Sequence, residues 1–307
     1  QDFDFGLKGM EALEAKYPEL RGNASLTQRV GSDLTNDFAK VAHAVPMLSI
    51  ANVYSAEEMA EFVRAAEDGI ASLDSAPQDD AGGKKRAKWI CERKIDGVSL
   101  SIVYENGRLK QAATRGDGAQ GDDVTLNALT IADIPEYFDA KKLKIDPSEI
   151  PQGTFEVRGE VYMEREAFER LNEQFILEGK KIFQNPRNTV SGSLKLKSVA
   201  ECKTRPMRFF AYHIPQSNNK THEENLLQLK KLGFHTNDYW TADTTDEIMK
   251  ISEQIGASRD SLPFEIDGMV VEMCKGSEVG KFTGLYYTFS MSAQIATPIV
   301  AGWLLEN

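Results

Sequence analysis

Asn106-Gly107 lies between two strand-like runs, 98–104 and 109–114, and constrains the fold more than any other pair in the chain. Both residues tolerate positive φ, which the tight turn of a two-residue hairpin requires. The spacing predicts an antiparallel hairpin at the centre of the sequence. Further strand patterns occur at 87–94, 154–163, 207–214 and 264–273. Helix signals fall between them. Ser55-Ala-Glu-Glu58, Thr221-His-Glu-Glu224 and Thr244-Thr-Asp-Glu247 are capping boxes, the first opening a helix to about Ile70 and the second a helix stopped at Gly233. Another helix is expected over 165–178, and one at the start of the chain over 4–20. Hairpin-joined strands mixed with helices, without a βαβ repeat, predict an α+β fold with antiparallel sheets flanked by helices.

The length of 307 residues allows one large domain or two small ones. With 36 Lys and Arg against 47 Asp and Glu, the net charge is −11. A composition of 41% apolar and 27% charged residues excludes a disordered, collagenous or disulfide-stapled chain. An acidic total does not exclude a nucleic-acid substrate, because a local basic surface binds phosphates. Lys84, Lys85, Arg86, Lys88, Arg93 and Lys94 crowd together, either as a solvated loop or as such a surface. Cys91, Cys202 and Cys274 lie far apart. That spacing excludes a Cys₄ zinc site from this chain alone and points to a reducing, cytoplasmic setting. The opening residues carry no basic stretch followed by an apolar one, so no secretory signal is expected. The first residue is not Met, which points to missing upstream sequence. The stretch 282–305 contains no charged residue or His. Its length suits a membrane span, which needs about 20 residues, or a buried strand and helix.

The chemically informative stretch is Cys91-Glu-Arg-Lys94-Ile-Asp96-Gly97. Lys-x-Asp-Gly alone is a weak signal, equally a strand ending in an Asp-Gly turn. Its functional reading is a lysine nucleophile at a strand end, beside a glycine that lets a phosphate approach the backbone. A lysine of ordinary pKa, about 10.4, is protonated at neutral pH and cannot attack. Nucleophilicity therefore demands burial or a nearby positive charge, for which Arg93 is the adjacent candidate.

Other segments accompany this motif. They are Thr27-Gln-Arg-Val-Gly31, His43, Pro46-Met-Leu-Ser49-Ile50, Thr114-Arg115-Gly-Asp-Gly118, Gly121-Asp-Asp-Val-Thr-Leu-Asn127, Glu156-Val-Arg-Gly-Glu160-Val161, Asn185-Pro-Arg187-Asn188 and Glu265-Ile-Asp267-Gly-Met-Val-Val271. In this order and spacing, from about residue 3 to 271, the sequence resembles the adenylation domain of NAD-dependent DNA ligases. The resemblance implies a covalent nucleotidyltransferase fold. It implies that Lys94 attacks the adenylyl phosphorus of NAD⁺, releasing NMN and forming lysyl-AMP. AMP would then pass to the 5′-phosphate of nicked double-stranded DNA in replication and repair. Asp96 shares the catalytic motif. Arg115 would bind phosphate or ribose, Glu160 the ribose hydroxyl, and Glu92 the adenine amine. Ser49 and Ile50 would line the adenine side, and Arg187 would touch phosphate or DNA. Asp267, helped by Glu160, would hold Mg²⁺.

The resemblance also divides the chain. Residues 1–36 would be the remnant of an N-terminal helical NMN-binding domain, 37–281 the adenylation domain, and 282–307 a tail without a family match. A monomer is expected. Two departures bear on competence: Glu272 stands where the family has a lysine, and no lysine-bearing strand follows Phe282. Lys195 stands where arginine is usual. These features predict weakened AMP transfer and no complete nick sealing by this chain alone. The competing readings are a fragment that only binds nucleotide or DNA, and a membrane-tethered fusion through 282–305.

Overall fold

The computed structural model describes residues 38–48, 51–71, 88–215, 217, 219, 221–273 and 287–290, with Lys16 upstream. The expected first helix, the linker over 75–85 and most of the uncharged tail lie outside these residues.

Two sheets stand at the centre. The first has strand order β2 (Ala51–Val53), β11 (Tyr287–Ser290), β10 (Ile266–Met273), β3 (Trp89–Ile95) and β9 (Tyr239–Ala242). The second has order β5 (Arg108–Thr114), β4 (Val98–Glu105), β7 (Thr154–Met163) and β8 (Met207–His213). A small ladder joins β1 (Lys40–Ala42) to β6 (Gln120–Asp122). The pairings are antiparallel except β11 with β2, which is parallel. The expected hairpin is β4–β5, closed by Asn106 at φ 49° and Gly107 at φ 77°.

Alternation along each strand sorts its residues between two faces. On the first sheet, Trp89, Cys91, Ile95, Met269 and Val271 share one face and are buried. They pack with α1 (Ala56–Ala71) and α8 (Thr245–Ser258) through residues such as Met59, Phe62 and Ile255. On the second sheet, Leu100, Ile102, Tyr104, Val157 and Val161 form the core with α2 (Thr125–Ala128), α4 (Arg165–Leu177) and α5 (Pro186–Leu194). Burying each large apolar side chain contributes about 1.5–3 kcal/mol. The hydrophobic cores thus lie on the helix-covered side of each sheet, leaving polar residues on the other faces.

Short helices α3 (Ala140–Leu143) and α6 (Val199–Cys202) bring Leu143 and Cys202 to the second core, and α7 (His222–Lys231) packs against β8. The expected caps form: the hydroxyls of Ser55, Thr221 and Thr244 accept from the backbone N–H of Glu58, Glu224 and Glu247. Among the described residues no helix is long and apolar enough to cross a membrane. Within the uncharged tail, 287–290 pairs with both β10 and β2 in the first sheet.

Candidate active site

Strand β3 carries Glu92 and Lys94 on the face away from the hydrophobic core, because residues two apart in a strand point the same way. Arg93 points to the opposite face. There it bonds Asp238 at 3.1 Å and lies over the Trp240 ring. This corrects the expectation that Arg93 is the charge beside the nucleophile. The partner is a carboxylate instead: Lys94 Nζ lies 2.5 Å from Asp267 Oδ2.

Asp267 reaches Lys94 through an irregularity. The β10–β3 register pairs Ile266 with Ile95 and then Gly268 with Lys94, so one residue is unpaired. Such a bulge turns a side chain to the other face. Without it, Asp267 would share the buried face of Met269 and Val271. The other carboxylate oxygen, Oδ1, is buried and has no hydrogen-bond partner among the described residues.

The second sheet contributes Glu160 from β7, whose carboxylate accepts from the Ser99 hydroxyl on β4 at 2.8 Å. Burial pushes the Glu160 carboxyl up to about 7, against the Ser99 hydrogen bond and the positive charges of Lys94 and Arg187. Near neutrality this group exists both as acceptor and as donor, which suits a hydroxyl partner. Tyr212, on the same face of β8, lies in the fields of Glu160, Arg158 and Arg115. Burial pushes its hydroxyl up, so it stays a neutral donor.

Gly97 lets the strands approach. A Cβ there would lie 2.2 Å from the Val161 carbonyl oxygen and 2.9 Å from Glu160 Cγ. Arg187 follows Pro186 at the start of α5, where the Asn185 side chain caps the helix by accepting from Asn188 N–H at 2.7 Å. This helix start aims the Arg187 guanidinium at Asp96 Oδ1, 2.7 Å away, and 4.0 Å from Asp267 Oδ2. The turn after β5 holds Arg115, whose carbonyl oxygen lies 3.1 Å from His43 Nε2. Lys195 pairs with buried Asp122 at 3.1 Å.

Lys94, Asp96, Glu160, Arg187 and Asp267 therefore form one group, with Arg115 within electrostatic range of Tyr212. Glu92 lies one strand repeat along from Lys94 on the same face. Ser49 and Ile50 lie outside the described residues. Arg158 holds the backbone just before them, donating to the carbonyls of Val45 and of Pro46, the latter at 3.1 Å.

The sequence did not flag His222. Its Nε2 bonds Glu92 Oε2 at 2.7 Å, and its Nδ1 lies 3.2 Å from Glu272 Oε2. Glu272 thus does not stand as an isolated negative charge. The only sequence signal for His222 was its place next to the helix cap Thr221.

Among the described residues no three or more His, Cys, Asp or Glu side chains are placed to hold a metal ion. Mg²⁺ commonly uses one or two carboxylates together with substrate phosphates and water. The orphaned Asp267 oxygen fits that lesser demand.

The family model for the NAD-dependent DNA ligase adenylation domain matches residues 35–281. A DNA ligase of Rhodopseudomonas palustris strain HaA2 is 40% identical over 278 residues, covering 89% of this chain and 36% of the relative. A DNA ligase of Xanthobacter autotrophicus is 41% identical over 267 residues, covering 86% of this chain and 35% of the relative. A third, from Marinobacter nauticus, is 37% identical over 277 residues, covering 89% and 38%. The chain spans little more than a third of the length of these relatives. Since the match covers most of the chain, including β3 with Lys94 and the whole second sheet, the chain belongs to the NAD-dependent DNA ligase adenylation-domain family.

Proposed function

We propose that residues 37–281 transfer the adenylyl group of NAD⁺ to Lys94. The observation that carries this reading is the 2.5 Å contact of Lys94 Nζ with Asp267 Oδ2, on the polar face that Glu92 shares. Asp267 is placed to take a proton from the Lys94 ammonium. The freed amine attacks the adenylyl phosphorus. A P–N bond forms, the bridging P–O bond breaks, and NMN leaves with the bridging oxygen. NAD⁺ is consumed and is therefore a substrate.

Glu92 accepts from the adenine amine and Glu160 meets a ribose hydroxyl. Arg115 offers its fork of donors to phosphate or ribose oxygens. Arg187, steered by Asp96, faces phosphate or DNA, and Ser49 and Ile50 line the base. Asp267 Oδ1, helped by Glu160, would hold Mg²⁺, which when bound supplies positive charge beside the reacting phosphate. The lysyl-AMP then serves transfer to the 5′-phosphate of nicked double-stranded DNA. The setting is cytoplasmic, the chain acts as a monomer, and residues 1–36 belong to an NMN-binding domain.

The test is the intact mass of the whole chain after incubation with NAD⁺ and Mg²⁺. One added adenylyl group, absent from Lys94→Ala, is expected. An unchanged mass in the folded wild-type chain refutes the reading.

A further inference from the structure

Glu92, His222 and Glu272 form a buried charge bridge with no part in the proton and phosphorus steps above. Glu92 is 5% exposed and His222 6%. The carboxylates come from neighbouring strands: Val270 pairs with Glu92, and Glu272 lies two residues further along β10 on the same face. His222 enters between them from the first turn of α7, where the Thr221 cap fixes the backbone. Its Nε2 lies 2.7 Å from Glu92 Oε2 and its Nδ1 3.2 Å from Glu272 Oε2. The second contact is between charges, since Nδ1 lacks the geometry of a hydrogen bond. Glu92 Oε1 is buried and has no hydrogen-bond partner among the described residues.

We propose that His222 is a positioning residue that sets nucleobase selectivity: clamped between Glu92 and Glu272, it fixes Glu92 so that Oε1 receives the exocyclic amine of a 6-amino purine. The inference rests on the reading that Glu92 meets the base, and adds what makes that contact selective. An ionised carboxylate only accepts hydrogen bonds. Its buried, unpaired oxygen is costly unless a donor arrives with the ligand. A purine lacking the 6-amino group brings no such donor.

The same carboxylate would be a poor reader without the imidazolium. Two like charges on one face of neighbouring strands repel. One of them would swing away, and Glu92 would lose its fixed place. Burial opposes charge on His222, but Glu272 and Glu92 outweigh it and push it up to about 9, so the bridge is intact at neutral pH. His213 on β8, which burial keeps neutral, lies in the fields of His222 and of Arg158 on β7.

The experiment is calorimetric titration of the whole chain with AMP and with purine riboside 5′-monophosphate, which carries hydrogen in place of the amine. The wild type is expected to prefer AMP by about tenfold or more, the worth of a hydrogen bond to a charged group. His222→Ala should bring the ratio close to one. His222→Gln, whose amide still donates to Glu92, should restore part of it. A folded His222→Ala chain with the wild-type ratio overturns the inference. Should that variant fail to fold, Glu272→Gln decides: a severalfold drop supports the clamp, and an unchanged ratio overturns it. Equal wild-type affinity for the two nucleotides instead refutes the assignment of Glu92 to the base, and the inference with it.

Discussion

The side chains of Lys94 and Asp267 are 29% and 36% exposed, so solvent screens their attraction. Exposed pairs of this kind contribute about 0–1 kcal/mol to folding. Asp267→Asn should therefore leave the thermal midpoint nearly unchanged. It should slow adenylylation of Lys94 by about 100-fold or more, the usual worth of a positioned proton acceptor. Timed intact-mass measurements check the rate, and a thermal melt checks the fold. His222 behaves differently because it is buried. Its pKa is raised in the folded chain, so its contribution to stability is full below about 6.5 and is lost as pH rises through about 9. A shift of this size corresponds to stabilisation on the order of 3 kcal/mol. The urea midpoint should fall between pH 7 and 10 in the wild type and fall less in His222→Gln. His213, pushed down to about 3 by burial, has the opposite sign. Its contribution is present above about 6.5 and lost as pH falls through 3, so it leaves the alkaline window clear.

Among the elements, Thr154–Met163 is a strand with the bounds its alternation predicts, and the Asn106-Gly107 hairpin forms as expected. Other strand ends shift by one or two residues, as for β3, which starts at Trp89 rather than 87. The bulge in β10 was not legible. Period-two reading of 264–273 puts Asp267 with Met269 and Val271, and only pairing against β3 shows the extra residue. Gly97 was legible as a turn glycine, but its reason is different: Val161 and Glu160 of the other sheet occupy the space a Cβ needs. Gly97→Ala should force the strands apart, costing about 1–3 kcal/mol as overpacking does. It should also slow Lys94 adenylylation, because the same shift separates Glu160 from Lys94. A urea melt and the labelling rate check these two outcomes.

Across the whole molecule, each sheet buries its apolar face under helices and presents a polar face carrying the candidate chemistry. The pairing of 287–290 with β10 and β2 ties part of the uncharged tail into the first sheet. Ending the chain at residue 281 would leave β10 with an open edge, which is prone to pairing with other chains. A lower melting temperature and increased light scattering on heating are expected from that truncation. The sequence by itself determined six of the longer strands, four helices, the hairpin turn chemistry and the membership of Lys94, Asp96, Glu160, Arg187 and Asp267 in one set of motifs, while the shorter strands and the helix at Pro186–Leu194 were not read from it. The features it determined depend on local backbone preferences and on residue order, both written in the chain. Only the tertiary structure decided which charges meet. It separated Arg93 from Lys94, brought Asp267 across a bulge, and set His222 between Glu92 and Glu272. Those contacts join residues from 50 to 173 positions apart, set by strand register and close sheet packing rather than by local sequence.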